Sequence, residues 1–141
     1  MTFYLDTSAA VAAHTPEAAT GRIQTWLGRA GPGALAVSRW VVTEFSSALA
    51  LKVRTGALTA EQCARVFADW KSFLTAEASI LEVDAAAFDR AGEMAGRHDL
   101  ALRAGDALHL AVAAKHGCTL VTLDERMAKA ARQLGVPVAA I

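Results

Sequence analysis

Short apolar runs alternate with longer amphipathic segments along the chain. Five runs predict buried strands, because each is short and apolar and several are bounded by Gly, Pro or Asp. They are TFYL at 2–5, LAVS at 35–38, SILEV at 79–83, CTLVT at 118–122 and VPVAAI at 136–141. Apolar residues spaced by three and four predict helices at about residues 8–14, 17–29, 39–55, 59–76, 84–98, 104–116 and 125–134.

The order of these elements predicts an α/β fold. Strands that alternate with helices need crossover connections, which give an open parallel sheet with helices on both faces. The 141 residues contain no linker and no internal repeat, so we expect a single domain over 1–141. Gly56, Gly117 and Gly135 are expected to end helices, and Thr59 to cap the start of one. Ligands of such sheets bind beyond the carboxyl ends of the strands.

Composition narrows the class of protein. Lys plus Arg and Asp plus Glu both total 14, so no basic excess indicates a general nucleic-acid-binding surface. Cys63 and Cys118 stand alone, which excludes a zinc ribbon and fits reduced thiols in the cytoplasm. We expect neither a signal peptide nor a membrane span. A hydrophobic content of 54% exceeds the usual 45–50% or so, which suggests burial against another chain.

Four acidic residues fall near the carboxyl edge of the predicted sheet. Asp6 follows the first strand and Asp124 follows the fourth. Taken singly, each is typical of a helix N-cap, and Asp106 of a first-turn acid favoured by the helix dipole. Glu44 is harder to explain, because it shares an apolar helix face on which no basic residue is available to pair with it.

Taken together, these carboxylates predict a metal site. Carboxylates that converge in one crevice repel each other by about 4 kcal/mol per pair at roughly 4 Å and an effective dielectric near 20. A divalent cation relieves this repulsion at neutral pH. An all-oxygen ligand set without a Cys or His cluster suits Mg²⁺ or Mn²⁺ rather than zinc. The sequence therefore indicates metal-assisted phosphoryl chemistry.

Four segments carry a resemblance to a known family. They are YLDTSAAV at the start, VVTEFSSAL in the middle, RAGDALHLAVAA later and LVTLDERMAKAARQLG near the end. In order and spacing they resemble the PIN-domain ribonucleases, and most closely the VapC toxins of bacterial type II toxin–antitoxin pairs. The resemblance covers the whole chain. It implies a three-layer α/β/α domain with a short, mainly parallel central sheet of about five strands.

The resemblance also implies roles for individual residues. Asp6 corresponds to the family's first invariant aspartate, a direct metal ligand. Glu44 and Asp106 correspond to acids that coordinate the metal directly or through water. Asp124 matches a more variable fourth acid, which leaves open whether one metal or two are bound. Two positions match hydroxyl residues that support the site, namely Ser8 and Thr122.

An activity and partners are implied in the same way. The chain is expected to be an Mg²⁺- or Mn²⁺-dependent endoribonuclease toxin, in which metal-activated water leaves 5′-phosphate and 3′-hydroxyl ends. A homodimer and a cognate VapB-type antitoxin are the expected partners, whereas the RNA target is left open. RNA must approach an acidic pocket, so local positive charge is required. The candidates are Arg39, Lys52, Arg54 and Arg103.

Other interpretations are weaker. A receiver domain needs a Lys where Asp124 stands, and a haloacid-dehalogenase-like phosphatase needs a second Asp where Ser8 stands. The remaining alternative is a catalytically silent PIN-like module that acts only within a complex. His109 lies three residues after Asp106 but is not expected to bind metal, and His14 is expected to be solvated.

Overall fold

Four strands and seven α-helices make up the computed structural model, which describes residues 1–141. The strands are β1 (Phe3–Leu5), β2 (Leu35–Ser38), β3 (Ala78–Leu81) and β4 (Thr119–Val121). The helices are α1 (Thr7–His14), α2 (Thr20–Ala30), α3 (Arg39–Arg54), α4 (Ala60–Ala76), α5 (Ala85–Ala95), α6 (Ala104–Lys115) and α7 (Glu125–Gln133), and a 3-10 turn spans His98–Leu100. All seven predicted helices are present.

The sheet is entirely parallel, with the strand order β3-β2-β1-β4. In the central strand β1, Tyr4 lies beside Ala36 of β2 and Leu120 of β4. Helix α1 packs against α2, α3 and α4, whereas α5 packs against α6. This arrangement confirms the predicted α/β/α architecture and makes the carboxyl end of β1 the middle of one edge of the sheet.

The predicted fifth strand over 136–141 is wrong. Only Val138 forms a bridge there, to Leu120 at the outer side of β4. Pro137 has no N–H to donate, so the segment donates to the sheet through Ala139, whose N–H lies 2.8 Å from the Leu120 carbonyl oxygen. The sheet therefore has four strands rather than about five.

Capping residues fix the ends of several helices. Thr59 and Gln62 form a capping box at the start of α4, as the sequence predicts for Thr59. Gly117 and Gly135 have φ angles of 62° and 75°, in the left-handed region that glycine adopts without steric penalty. Their predicted role in ending α6 and α7 is therefore confirmed.

An aromatic cluster joins α1, α3 and α4. Phe45 and Trp70 stack with ring centroids 4.1 Å apart, and Phe73 packs on Trp70. The His14 ring lies edge-on to Trp70 at 5.1 Å, and its Nδ1 donates to the Ala10 carbonyl oxygen at 2.8 Å. The expectation that His14 is solvated is wrong, because α1 lies among these helices.

None of the helices combines the length and apolar character that a membrane crossing requires.

Candidate metal centre

The four predicted acids lie on four different elements at the carboxyl edge of the sheet. Asp6 follows β1 and caps α1, and Asp124 follows β4 and caps α7. Glu44 lies in the second turn of α3, the helix that β2 leads into. Asp106 lies in the first turn of α6. The fold thus brings to one edge residues that are widely separated in the sequence.

Asp6 is 1% exposed, and both of its carboxylate oxygens accept hydrogen bonds. Its Oδ1 accepts from the Ser8 hydroxyl at 2.7 Å and from the Ala9 N–H at 2.9 Å. Its Oδ2 accepts from the Thr122 hydroxyl at 2.5 Å. Burial raises the pKa of Asp6, although these hydrogen bonds act in the opposite direction. Both predicted supporting hydroxyls therefore contact this carboxylate.

Glu44 pairs across two helices with His109. The His109 Nε2 atom lies 2.5 Å from Glu44 Oε1, and the Thr7 hydroxyl donates to the same oxygen at 2.7 Å. Burial alone would raise the pKa of Glu44, but the hydrogen bonds from His109 and Thr7 outweigh it and lower the pKa. The partner that Glu44 lacks on its own helix face thus comes from another helix, 65 residues away in the chain.

Hydrogen bonds continue from His109 into the core. Its Nδ1 atom lies 2.8 Å from the Tyr4 hydroxyl oxygen, which in turn lies 2.8 Å from Ser38 Oγ. Ser38 caps α3, and its Oγ accepts from the Val41 N–H at 3.2 Å. Burial raises the pKa of Tyr4, so its hydroxyl stays protonated.

Asp124 caps α7 through one oxygen. Its Oδ1 accepts from the backbone N–H groups of Arg126 at 2.9 Å and Met127 at 3.1 Å. Its own N–H donates to Thr122 Oγ1 at 3.0 Å, which connects it to the surroundings of Asp6. The N-cap interpretation of Asp124 is confirmed, and its Oδ2 is left without a partner in the chain.

The Asp106 carboxylate has no hydrogen-bond partner in the chain. Burial raises its pKa, and the negative charge of Asp124, followed by that of Glu44, raises it further. His109 and Arg103 act in the opposite direction but do not reverse the shift. A nearby cation would relieve this unfavourable setting.

The free carboxylate oxygens fit the way in which Mg²⁺ is usually bound, and they do not form a closed metal cage. No group of three or more His, Cys, Asp or Glu side chains is arranged to hold an ion by itself. Mg²⁺ is usually bound through one or two carboxylates, keeps several waters and also takes substrate phosphate oxygens. The partnerless oxygens of Asp106, Glu44 and Asp124 fit that mode. How many of the acids contact the ion stays a prediction.

Two open hollows meet at Asp124. The larger, about 680 Å³, is lined by Thr7, Ser8, Lys52 and apolar residues of α3 among others. The smaller, about 550 Å³, is lined entirely by charged residues, namely Arg103, Asp106, Asp124, Glu125 and Arg126. An extended ligand that crosses Asp124 would therefore lie in both.

The predicted basic residues divide into two groups. Arg103 lines the smaller hollow, and Lys52 lines the larger one with its Nζ 2.9 Å from Glu17 Oε1. Arg39 is not brought to either hollow and pairs at 2.8 Å with Glu82 on the surface. Arg54 is exposed near the end of α3 and lines neither hollow.

The sequence did not indicate the roles of several residues at the site. Thr7 and His109 hold Glu44, and Arg126 lines the smaller hollow. A signal was present for His109, because a spacing of three places it on the same face of α6 as Asp106. No pattern along the sequence indicates that Tyr4 and Ser38 contact each other, since they meet only when β1 and β2 pair.

Comparison with known proteins identifies the family. The family model described as PIN domain matches residues 3–133, so the chain belongs to the PIN-domain family. Comparison with curated proteins gave no match.

Solved structures share the fold at low sequence identity. VapC20 from Mycobacterium tuberculosis, a Sarcin-Ricin loop cleaving toxin, has a TM-score of 0.72 and 22% identity, with 92% of this chain and 95% of that chain covered. FitAcB from Neisseria gonorrhoeae has a TM-score of 0.76 and 20% identity, with 99% and 97% covered. VapBC2 from Rickettsia felis, bound to a promoter DNA fragment, has a TM-score of 0.65 and 17% identity, with 98% and 96% covered.

Proposed function

We propose that this protein is an endoribonuclease that depends on Mg²⁺ or Mn²⁺. One observation carries the proposal: Asp106 has no partner in the chain and lies in the negative field of Asp124 and Glu44. These two acids are each held through a single oxygen, which leaves the other oxygen for a cation or its waters. A carboxylate cluster of this kind is suited to phosphoryl chemistry.

The chain's own residues position the reaction. A bound divalent cation would supply an acidified water and neutralise charge on the attacked phosphate. Asp6 is fixed by three hydrogen bonds and Glu44 by two, so neither carboxylate has to be ordered when substrate arrives. Asp106 and Asp124 would complete the acidic surface. No side chain is required as a nucleophile.

RNA would approach through the two hollows. Arg103 and Arg126 in the smaller hollow have no ion pair within the chain and are available to phosphate. Lys52 borders the larger hollow, which shares Asp124 with the smaller one. With so few cations, we expect modest affinity that falls as salt rises.

The proposal is tested with purified protein and end-labelled RNA. Cleavage should require added Mg²⁺ or Mn²⁺, stop with EDTA and leave 5′-phosphate ends. Asp106→Asn should abolish it while circular dichroism shows an unchanged fold, and Asp89→Asn, an exposed acid on α5, is the matched control. RNA binding without metal-dependent cleavage would instead indicate the catalytically silent binding module.

We further propose that the protein is the toxin of a VapBC-type pair. The support is that VapBC2 and other structural neighbours are toxin–antitoxin complexes. Induced expression should arrest growth, and co-expression of an antitoxin encoded beside it should restore growth. Arrest by Asp106→Asn at the same protein level would contradict this.

A homodimer is proposed from surface composition. Phe88 on α5 is 57% exposed and Leu51 on α3 is 51% exposed, although both are large apolar side chains. Light scattering during gel filtration should give twice the chain mass, and Phe88→Glu would be expected to lower it. A single-chain mass across micromolar concentrations would rule the dimer out.

A further inference from the structure

A series of three hydrogen bonds joins Ser38, at the start of α3, to Glu44 on the same helix. It runs from Ser38 to Tyr4 on β1, from Tyr4 to His109 on α6, and from His109 back to Glu44. Tyr4 and Ser38 are 0% exposed and His109 is 2% exposed, so water does not compete for these contacts. This series of hydrogen bonds therefore joins β1, α3 and α6 on the inner side of the Glu44 carboxylate.

One direction of donation along this series satisfies every group in it. Ser38 Oγ already accepts from a backbone N–H, so its hydroxyl is free to donate to Tyr4. Tyr4 then donates to His109 Nδ1, and this leaves the N–H on Nε2 to face Glu44. Ser38, Tyr4 and His109 each donate one hydrogen bond and accept another, and Glu44 Oε1 accepts the last one.

The two oxygens of Glu44 consequently have different surroundings. Oε1 accepts from His109 and from Thr7, whereas Oε2 has no donor in the chain. Oε2 lies on the side of Gly105, the residue before Asp106. The two donors therefore fix the carboxylate through Oε1 and leave Oε2 free beside Gly105.

We propose that His109 is a positioning residue that fixes Glu44 so that Oε2 serves the bound cation or its waters. This inference rests on the proposed function, because it presumes a cation at the cluster. His109 itself would not contact the cation, since both of its ring nitrogens are engaged by Glu44 and Tyr4. Tyr4 acts one step further back by fixing the tautomer and ring orientation of His109.

The test measures Mn²⁺ binding by the loss of the free-ion EPR signal, with RNA cleavage as a second readout. His109→Leu removes the donor, and we expect Mn²⁺ affinity to fall about tenfold or more, as for other residues that orient ligands. His109→Gln restores an N–H near the Nε2 position and should recover affinity to within about threefold of the unchanged protein. Tyr4→Phe should lie between them. His116→Gln, an exposed histidine after α6, is the control.

A double variant separates positioning from packing. If His109 acts through Glu44, His109→Leu should change Mn²⁺ affinity less than about twofold when Glu44→Gln is already present. Urea unfolding of each variant identifies any variant that fails to fold. If His109→Leu fails to fold, Mn²⁺ affinity is compared between His109→Gln and Tyr4→Phe instead.

The outcomes are distinct. Unchanged affinity in folded His109→Leu, or equal losses with and without Glu44→Gln, overturns the inference while the proposed function stands. Absence of Mn²⁺ binding and cleavage in the unchanged protein overturns both. Restoration by His109→Gln together with a silent double variant supports the inference.

Discussion

Gly105 leaves a gap beside the free oxygen of Glu44: a Cβ atom at Gly105 would lie 3.4 Å from Glu44 Oε2 and 3.6 Å from the Trp40 ring. These are ordinary van der Waals distances, so a methyl group fits without displacing either neighbour. It would nevertheless cover the side of Oε2 on which a water or cation could bind. Stability and function can therefore be separated at this position.

Gly105→Ala should keep or raise stability and lower activity. Alanine in a helix is more favourable than glycine by up to about 1 kcal/mol. We expect at least about tenfold weaker Mn²⁺ binding or cleavage, comparable to the loss of an outer-shell contact. Gly92→Ala is the control, because a Cβ there meets nothing within 4 Å. Full activity in a stable Gly105→Ala protein would show that Oε2 has no role.

Asp6→Asn should abolish cleavage without weakening the metal-free fold. Burial raises the pKa of Asp6, so proton uptake favours the folded state and the ionised form is unfavourable near neutral pH. Asparagine removes that charge at every pH. In EDTA at about pH 7.5, the free energy of unfolding in urea should equal or exceed that of the unchanged protein. A clear loss of stability would mean that the hydrogen bonds outweigh burial.

Two substitutions separate the role of Asp124 as a helix cap from its role as a negative charge at the site. Asp124→Ala loses the hydrogen bonds from two backbone N–H groups and should lower stability by about 1 kcal/mol. Asp124→Ser keeps a capping oxygen and should be nearly as stable as the unchanged protein. Both variants lose the carboxylate, so both should need more Mg²⁺ for half-maximal cleavage. Normal Mg²⁺ dependence in Asp124→Ser would assign this residue to capping alone.

We expect His14 to make the stability of the fold depend on pH. Burial in the aromatic cluster lowers the pKa of His14 below its ordinary 6.5, so the unfolded chain takes up this proton first. The contribution of His14 to stability is therefore present above about pH 6.5 and is lost as the pH falls below it. His14→Asn keeps a donor for the Ala10 carbonyl but does not titrate.

The measurement is the slope of the unfolding free energy between about pH 7.5 and 5.5. The slope should be shallower for His14→Asn than for the unchanged protein, whatever the difference in their absolute stabilities. His98→Asn, at an exposed histidine, should leave the slope unchanged. Equal slopes for the unchanged protein and His14→Asn would indicate that His14 is free to protonate in the folded state.

The helices and the parallel direction of the strands follow from local sequence, but the number of strands in the sheet does not. Periodicity and caps such as Thr59 are short-range signals, and they place all seven helices. The VPVAAI run has the apolar character of a strand, yet it forms a single bridge, because Pro137 lacks an N–H. Whether an apolar run joins a sheet thus depends on what its backbone can donate to the neighbouring strand.

The candidate site likewise contains residues that the local sequence indicates and residues that it does not. Three of the acids were found because each follows a strand or opens a helix, and Glu44 was found because it lies on an apolar helix face. The partner of Glu44 was missed, because His109 meets it only when α3 and α6 pack on the sheet. Arg126 was likewise overlooked, although it lies two residues after Asp124. The spacing of residues along one helix does not reveal contacts between distant segments of the chain.

The insertion of β4 beside β1 sets when the site is completed during synthesis. Thr122 and Asp124 follow the strand that pairs with β1, and Thr122 stands 116 residues after Asp6 in the chain. A growing polypeptide therefore carries an incomplete set of candidate ligands until β4 has been synthesised and has inserted beside β1.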